Sequence, residues 1–252
     1  MKSKLPTLVL TIALLFGSTI VPILAQSNNT LEWGVDVGEE FIYVLQRAHY
    51  SSQSDKEYME GQLPFLAEIQ EGEKVIVEIA FLEAIEDLIN DSTQLPRSYC
   101  NLRRFNDSAL IMSDLTSLVL PVGDWEFLTE INNMTTTPGI TPIDSAEEWG
   151  SIGVGTFSSG DGSSVDVRLE MRYEKENGTL NYLRHRYTTL GTDIIDVVFV
   201  NWHEGMPTVI AGDIQSTTLL LIVTSGLFGL FAAFLAYRSI KGKKTVAHRL
   251  GE

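Results

Sequence analysis

From Val165 to Glu174, apolar and charged side chains alternate without a break. Val165, Val167, Leu169, Met171 and Tyr173 fall on one parity, and Asp166, Arg168, Glu170, Arg172 and Glu174 on the other. Successive side chains point to opposite faces only in an extended chain, so the pattern calls for a strand with one apolar and one charged face. Such a strand belongs in an antiparallel sheet packed on one side. Asn177-Gly178 follows, and is expected to supply the positive φ angles of a tight hairpin turn. The chain should then return over Leu180 to Leu190, turn near Gly191-Thr192, and run out again through "DIIDVVFVNW". Upstream, "GVGTF" and the turn "SGDGS" add another strand, which makes a four-strand meander.

The region before the meander is less regular. "EEFIYVLQRAHY" and "KVIVEIAFLEAI" are rich in β-branched and aromatic residues and read as strands. "RSYCNLRRF" and "SALIM" read as a hairpin across Asn106-Asp107-Ser108. "VGDWEFLTEINNM" reads as a short helix starting near Asp124, with Trp125, Phe127, Leu128 and Ile131 on one side. Ser145 and Glu148 in "SAEEW" have capping-box spacing, which predicts a second helical turn, and "NNMTTTPGITP" reads as a loop. The expected fold class is mainly β (α+β). It is a curved antiparallel sheet with a C-terminal four-strand meander and one or two short helices, plus a C-terminal transmembrane helix.

That last element comes from the two ends of the chain. Residues 1–25 have Lys2 and Lys4, an uncharged apolar stretch, and then Ala25 before Gln26, the layout of a secretory signal peptide. The alternative is an uncleaved signal anchor. No cysteine follows Ala25, so a lipid on a new N-terminal Cys is not expected. Residues 217–237 carry no charged side chain. At about 1.5 Å per residue a helix of that length spans roughly 30 Å, the hydrocarbon thickness of a bilayer. Arg238, Lys241, Lys243 and Lys244 follow it at once, and basic residues stay on the cytoplasmic side. The expected topology is a single pass in the cell membrane, with residues 26–212 outside as one β-rich domain and the basic tail 238–252 inside. About ten residues, "HEGMPTVIAG", separate the last expected strand from the membrane helix, a short tether.

Charge narrows the partners. The chain has a net charge of −15, and nearly all of its 33 acidic residues but only 11 of its 18 basic ones lie in the expected outer domain. Phosphate-based binding of nucleic acid or of anionic headgroups is therefore not expected, because like charges repel. Protein, cation or lipid ligands stay open. The single cysteine, Cys100, excludes an intramolecular disulfide and a Cys-pair zinc site, and its alternating surroundings place it in a core. No G-x-S-x-G elbow or H-E-x-x-H pair occurs, and "GVGTFS" ends in Ser where a dinucleotide loop needs Gly. His49, His185 and His203 are the histidines of the outer domain, and a lone strand histidine is ordinarily a polar-face residue. "RHR" at Arg184 to Arg186 is expected to pair across its hairpin with Glu170 or Glu174. No catalytic residue, metal ligand or cofactor is assigned.

Five N-x-S/T sequons, at Asn28, Asn90, Asn106, Asn133 and Asn177, fall in expected turns or loops as candidate glycosylation sites. Ser225, Gly229 and Ala233 repeat at four-residue spacing in the expected membrane helix, a candidate contact for a homo-oligomer. Taken with the signal peptide and the acidic domain, "WGVDVGEEFIYVL" and "YEKENGTLNYL" resemble archaeal surface proteins of the choice-of-anchor type, which share an outer domain and end in an anchor. The resemblance implies envelope placement and no established activity. The functional expectation is a single-pass surface protein that displays its domain for binding, with a membrane-proximal carrier of an apolar or lipid ligand as the alternative. An extracytoplasmic enzyme is the third reading.

Overall fold

The computed structural model describes residues 30–158 and 162–211. The signal peptide, the 217–237 helix with Ser225, Gly229 and Ala233, the tail with Arg238, Lys241, Lys243 and Lys244, and Asn28 lie outside the described residues. Among the described residues no helix is long and apolar enough to cross a membrane.

Nine antiparallel strands form one sheet. In chain order they are β1 (Glu40–Tyr50), β2 (Lys74–Leu82), β3 (Ser98–Arg104), β4 (Leu110–Leu115), β5 (Ile140–Asp144), β6 (Glu148–Ser158), β7 (Ser164–Glu174), β8 (Leu180–Thr189) and β9 (Thr192–Asn201). The sheet order β4-β3-β2-β1-β9-β8-β7-β6-β5 is two meanders joined where the first strand pairs with the last. The four-strand meander is β6 to β9, and β5 adds a further edge. β1 runs against β9 from Tyr43↔Asn201 to Tyr50↔Ile195, with a register shift between Leu45 and Arg47. Two short helices, α1 (Gln53–Gln62) and α2 (Trp125–Ile131), and a 3-10 turn at Pro64–Ala67 complete the described elements used below.

Side-chain parity sorts the sheet into two faces. The inner face carries Tyr43 and Leu45 of β1, Val75, Val77 and Ile79 of β2, Cys100 and Leu102 of β3, and Ile195, Val197 and Phe199 of β9, all in the main core. Burying each such side chain contributes roughly 1.5–3 kcal/mol before the entropy of ordering it. Met59 of α1 and Phe65 and Leu66 of the 3-10 turn pack on this face, with Phe65 5.1 Å from the Phe199 ring. Ser52 caps α1 by accepting from the Asp55 N–H, and Asp124 caps α2 by accepting from the Phe127 N–H.

The outer face holds a second, smaller cluster of Val44, Val198 and Val200. The chain after β9 folds back to cover it with Trp202, Met206 and Ile210. This strap is tied down by hydrogen bonds from Trp202 N–H to Ile42 O, Gln46 Nε2 to Pro207 O, and Ile210 N–H to Gln46 O. The Lys74 ammonium sits 3.0 Å from the center of the Trp202 ring. The short segment "HEGMPTVIAG" is thus pinned to the sheet as far as Ile210. With cover on both faces β9 reads as an almost unbroken apolar run rather than an alternating one.

Three other expectations are corrected. Ser145 and Glu148 do not start a helix. The Ser145 hydroxyl accepts from the Glu147 and Glu148 N–H groups in the turn between β5 and β6, and the end of the expected loop, Ile140 to Pro142, belongs to the edge strand β5. In the β7–β8 turn only Gly178 has positive φ, at 77°, and its N–H closes on Glu174 O, so the loop is wider than a two-residue turn. The two-residue turn lies between β8 and β9, where Leu190 (φ 51°) and Gly191 (φ 76°) both take the left-handed conformation.

The outer face of β6 to β9 is a ladder of ion pairs. Arg184 and Arg186 pair across the β8–β9 hairpin, with Asp196 and Asp193. The sequence points instead to Glu170 or Glu174 as their partners, on the far side of β8. Asp196 is fully buried and accepts from Arg47 Nε at 2.6 Å, from Arg184 Nε at 2.8 Å and from Arg184 Nη2 at 3.1 Å. Glu170, also buried, accepts from Arg168 and Arg172. Asp196 thus joins β1, β9 and β8 across the seam between the two meanders. Removing one partner of such a buried group strands the other charges, at a cost of about 3–5 kcal/mol. Asp196→Ala is expected to lower the unfolding free energy by that amount in a urea titration, and a loss below about 1 kcal/mol would show that the seam does not depend on it.

Candidate functional site

The two halves of the inner face are filled differently. Beneath α1 the core is closed by Met59, Phe65 and Leu66 against Tyr43 and Phe199, with Tyr58 edge-on to Tyr187 at 5.9 Å. Beneath α2 the structure leaves a cavity of about 330 Å³. Its walls come from α2 (Leu128), from β6 and β7 (Trp149, Met171, Tyr173), and from the loops before β3 and after β4. Largely apolar concavities of this size are where small ligands bind.

The walls are held in place by polar ties at their backs. Trp149 Nε1 donates to Thr129 Oγ1 at 2.8 Å, and the Thr129 hydroxyl donates to Trp125 O at 2.9 Å. The Trp125 ring lies 5.4 Å from Trp149, and Tyr173 lies 6.2 Å beyond it. The Tyr173 hydroxyl donates to Ser117 O, and Ser117 is held at φ 68°, an unusual conformation for a residue with a side chain. Gly150 lets β7 approach closely behind Trp149, since a Cβ there would lie 2.0 Å from Met171 O. Burial pushes the Tyr173 phenol well above its ordinary range, so it stays protonated. The lining includes no carboxylate, imidazole, thiol or amine.

A second concavity, of about 520 Å³, lies at the Val154–Thr156 end of β6. Its charged lining is already committed, Arg168 to Glu170 and Arg186 to Asp193. The cavity beneath α2 is the better candidate, because most of its lining is apolar and it reaches in from the surface to buried Leu128, Trp149 and Tyr173.

The residues singled out from the sequence do not gather at this cavity. Asn90, Asn106 and Asn133 are exposed. Asn177 is half-buried. Its Oδ1 accepts from both the N–H and the hydroxyl of Thr179, while its Nδ2, the atom a glycan would occupy, donates to Glu174. Cys100 is buried, and burial pushes its thiol up to about 11. His49 and His203 lie away from each other's elements, one on β1 and the other in the strap. Among the described residues no three His, Cys, Asp or Glu side chains gather to hold a metal ion. His185 is on the inner, apolar face rather than the polar one, directly opposite Leu169 and Val197, and its Nδ1 has no partner. Sequence reasoning found Leu128 but not the cavity, whose other walls come from distant segments with no common motif. Comparison with family models, with curated proteins and with solved structures gives no match for this chain.

Burial lowers the His185 imidazole from its ordinary 6.5 to about 4. The unfolded chain takes up a proton below about 6.5 and the folded chain only near 4, so acid favours unfolding across that window. The full difference is on the order of 3 kcal/mol. Relative to His185→Leu, the parent protein is expected to lose stability from pH 6.5 to pH 4 in urea titrations and to run parallel above pH 7. Parallel curves throughout would show that the imidazole is not held neutral.

Proposed function

We propose that this chain is a single-pass cell-surface binding protein whose outer domain takes an apolar ligand into the cavity beneath α2. The cavity is the observation that carries the reading: about 330 Å³, walled by Leu128, Trp149, Met171 and Tyr173, with no carboxylate, imidazole, thiol or amine in its lining. Such walls favour holding a molecule over transforming it, so binding is preferred to an enzymatic role. The charge-free run at 217–237 and the basic cluster Arg238, Lys241, Lys243 and Lys244 support a helix that anchors the domain with its C-terminus in the cytoplasm. The resemblance to archaeal choice-of-anchor surface proteins supports the same placement. A sheet curved over α1 and α2 would suit a carrier, which differs from a static binder only in releasing its ligand. Asn90, Asn106 and Asn133 are accessible to a glycan, whereas the hydrogen bonds of Asn177 disfavour one there.

Ser151 lines the cavity beside Met171, and its hydroxyl makes no hydrogen bond among the described residues. Ser151→Phe is expected to fill the cavity. An environment-sensitive apolar dye such as 1-N-phenylnaphthylamine should brighten with the parent protein and bind at least about tenfold more weakly to the variant, at unchanged or increased thermal stability. Equal binding by the two proteins would remove the cavity as the ligand site.

A further inference from the structure

The cavity has a charge character opposite to that of the surface around it. The chain carries −15 overall, and its carboxylates crowd the described domain, yet none lines the cavity. The one charged side chain in the lining is Arg97, an exposed residue just ahead of β3. Its backbone N–H binds Glu83 Oε2 at 2.9 Å, and the Tyr99 hydroxyl binds Glu83 Oε1 at 2.9 Å. Glu83 already accepts these two hydrogen bonds, and the Arg97 guanidinium, which also feels Glu83 and the Tyr99 hydroxyl, makes no close ion pair among the described residues and keeps donors of its fork to spare. Ser92 and Ser117 lie in the same lining, and neither hydroxyl has a hydrogen-bond partner there. A guanidinium offers five donors in a planar fork suited to a carboxylate or phosphate.

From this juxtaposition we propose that the ligand is a single-chain anionic amphiphile. Its apolar chain lies beneath α2 against Trp149 and Met171, and its acid group, carboxylate or phosphate monoester, is held at the mouth by Arg97. The proposal rests on the cavity being a ligand site. At about 330 Å³ the cavity is at the small end of ligand sites, which favours one chain over two. Charge supports the head group. A cation would be drawn to the acidic surface and repelled at the mouth, whereas an acid that reaches the mouth exchanges one hydrated site for a forked, partly desolvated one.

The test uses the full chain in nanodiscs. The four tryptophans, Trp33, Trp125, Trp149 and Trp202, all lie in the described domain, so bromine dissolved in the bilayer does not report on them by contact with the membrane segment. Three probes of equal length are titrated: 12-bromododecanoic acid, 12-bromododecanol and (12-bromododecyl)trimethylammonium. The acid is expected to quench tryptophan fluorescence, with most of the effect lost in Trp149→Phe. Arg97→Gln should weaken the acid about tenfold and leave the alcohol unchanged, and Arg97→Lys should restore much of the loss. Displacement of the acid probe by dodecanoate or by dodecyl phosphate then tells which acid fits better. Equal binding of acid and alcohol with no response to Arg97→Gln would overturn the head-group assignment and leave the cavity as a ligand site, as would tighter binding of the ammonium probe. Absence of quenching by all three would overturn the cavity reading together with this one.

Discussion

The pairing of β1 with β9 is the constraint on which the rest of the described structure depends. Without it the chain is two antiparallel meanders, each with an exposed edge and a half-covered face. With it, the most apolar strands lie side by side at the centre of a nine-strand sheet. Both faces of that centre must then be covered. The inner face is covered by α1 and the 3-10 turn, and the outer face by the strap that follows β9. Asp196 is buried in the same seam and can be so only because Arg47 and Arg184 reach it from the strands on either side. The bulge at Gln46 serves the same seam, since the side chain and carbonyl of Gln46 are what hold the strap.

Away from the seam the cover changes character. α2 is a short helix capped by Asp124, and it meets β6 and β7 through Trp149 rather than through a run of interlocking aliphatic side chains. Trp149 and Tyr173, rings in contact and tied at their edges by hydrogen bonds, form one wall of the cavity. Ser117, whose carbonyl receives the Tyr173 hydroxyl, lines the same cavity at φ 68°. Unusual backbone kept at a cavity wall agrees with a binding role, because strain of this kind persists where the surroundings hold it.

Much of the sheet was legible in the chain because it follows a rule of period two. Val165 to Glu174 became β7 with the expected parity, and β1, β2 and the β3–β4 hairpin lie where their β-branched and aromatic residues point. Helix α1 was not legible, since "QSDKEYMEGQ" buries only Met59 and shows no apolar stripe. The Ser145–Glu148 spacing misled because the same hydroxyl-to-N–H bonds that cap a helix also close a turn between strands. Arg184 and Arg186 were correctly placed in a paired ladder, but their partners depend on which neighbouring strand offers a carboxylate at a diagonal position. The cavity was least legible of all. Leu128, Trp149, Met171 and Arg97 have no common spacing, and only the folded sheet brings them together.

The account's central claim joins a place to a content: a domain outside the cell, with a guest in its core. Limited protease applied to intact cells, followed by native mass spectrometry of what appears in the medium, tests both parts together. The account expects a released fragment covering the described residues that carries a non-covalent adduct of a few hundred daltons, lost on mild activation. A fragment released bare, or a domain that the intact cell shields while its basic tail is trimmed, would contradict it.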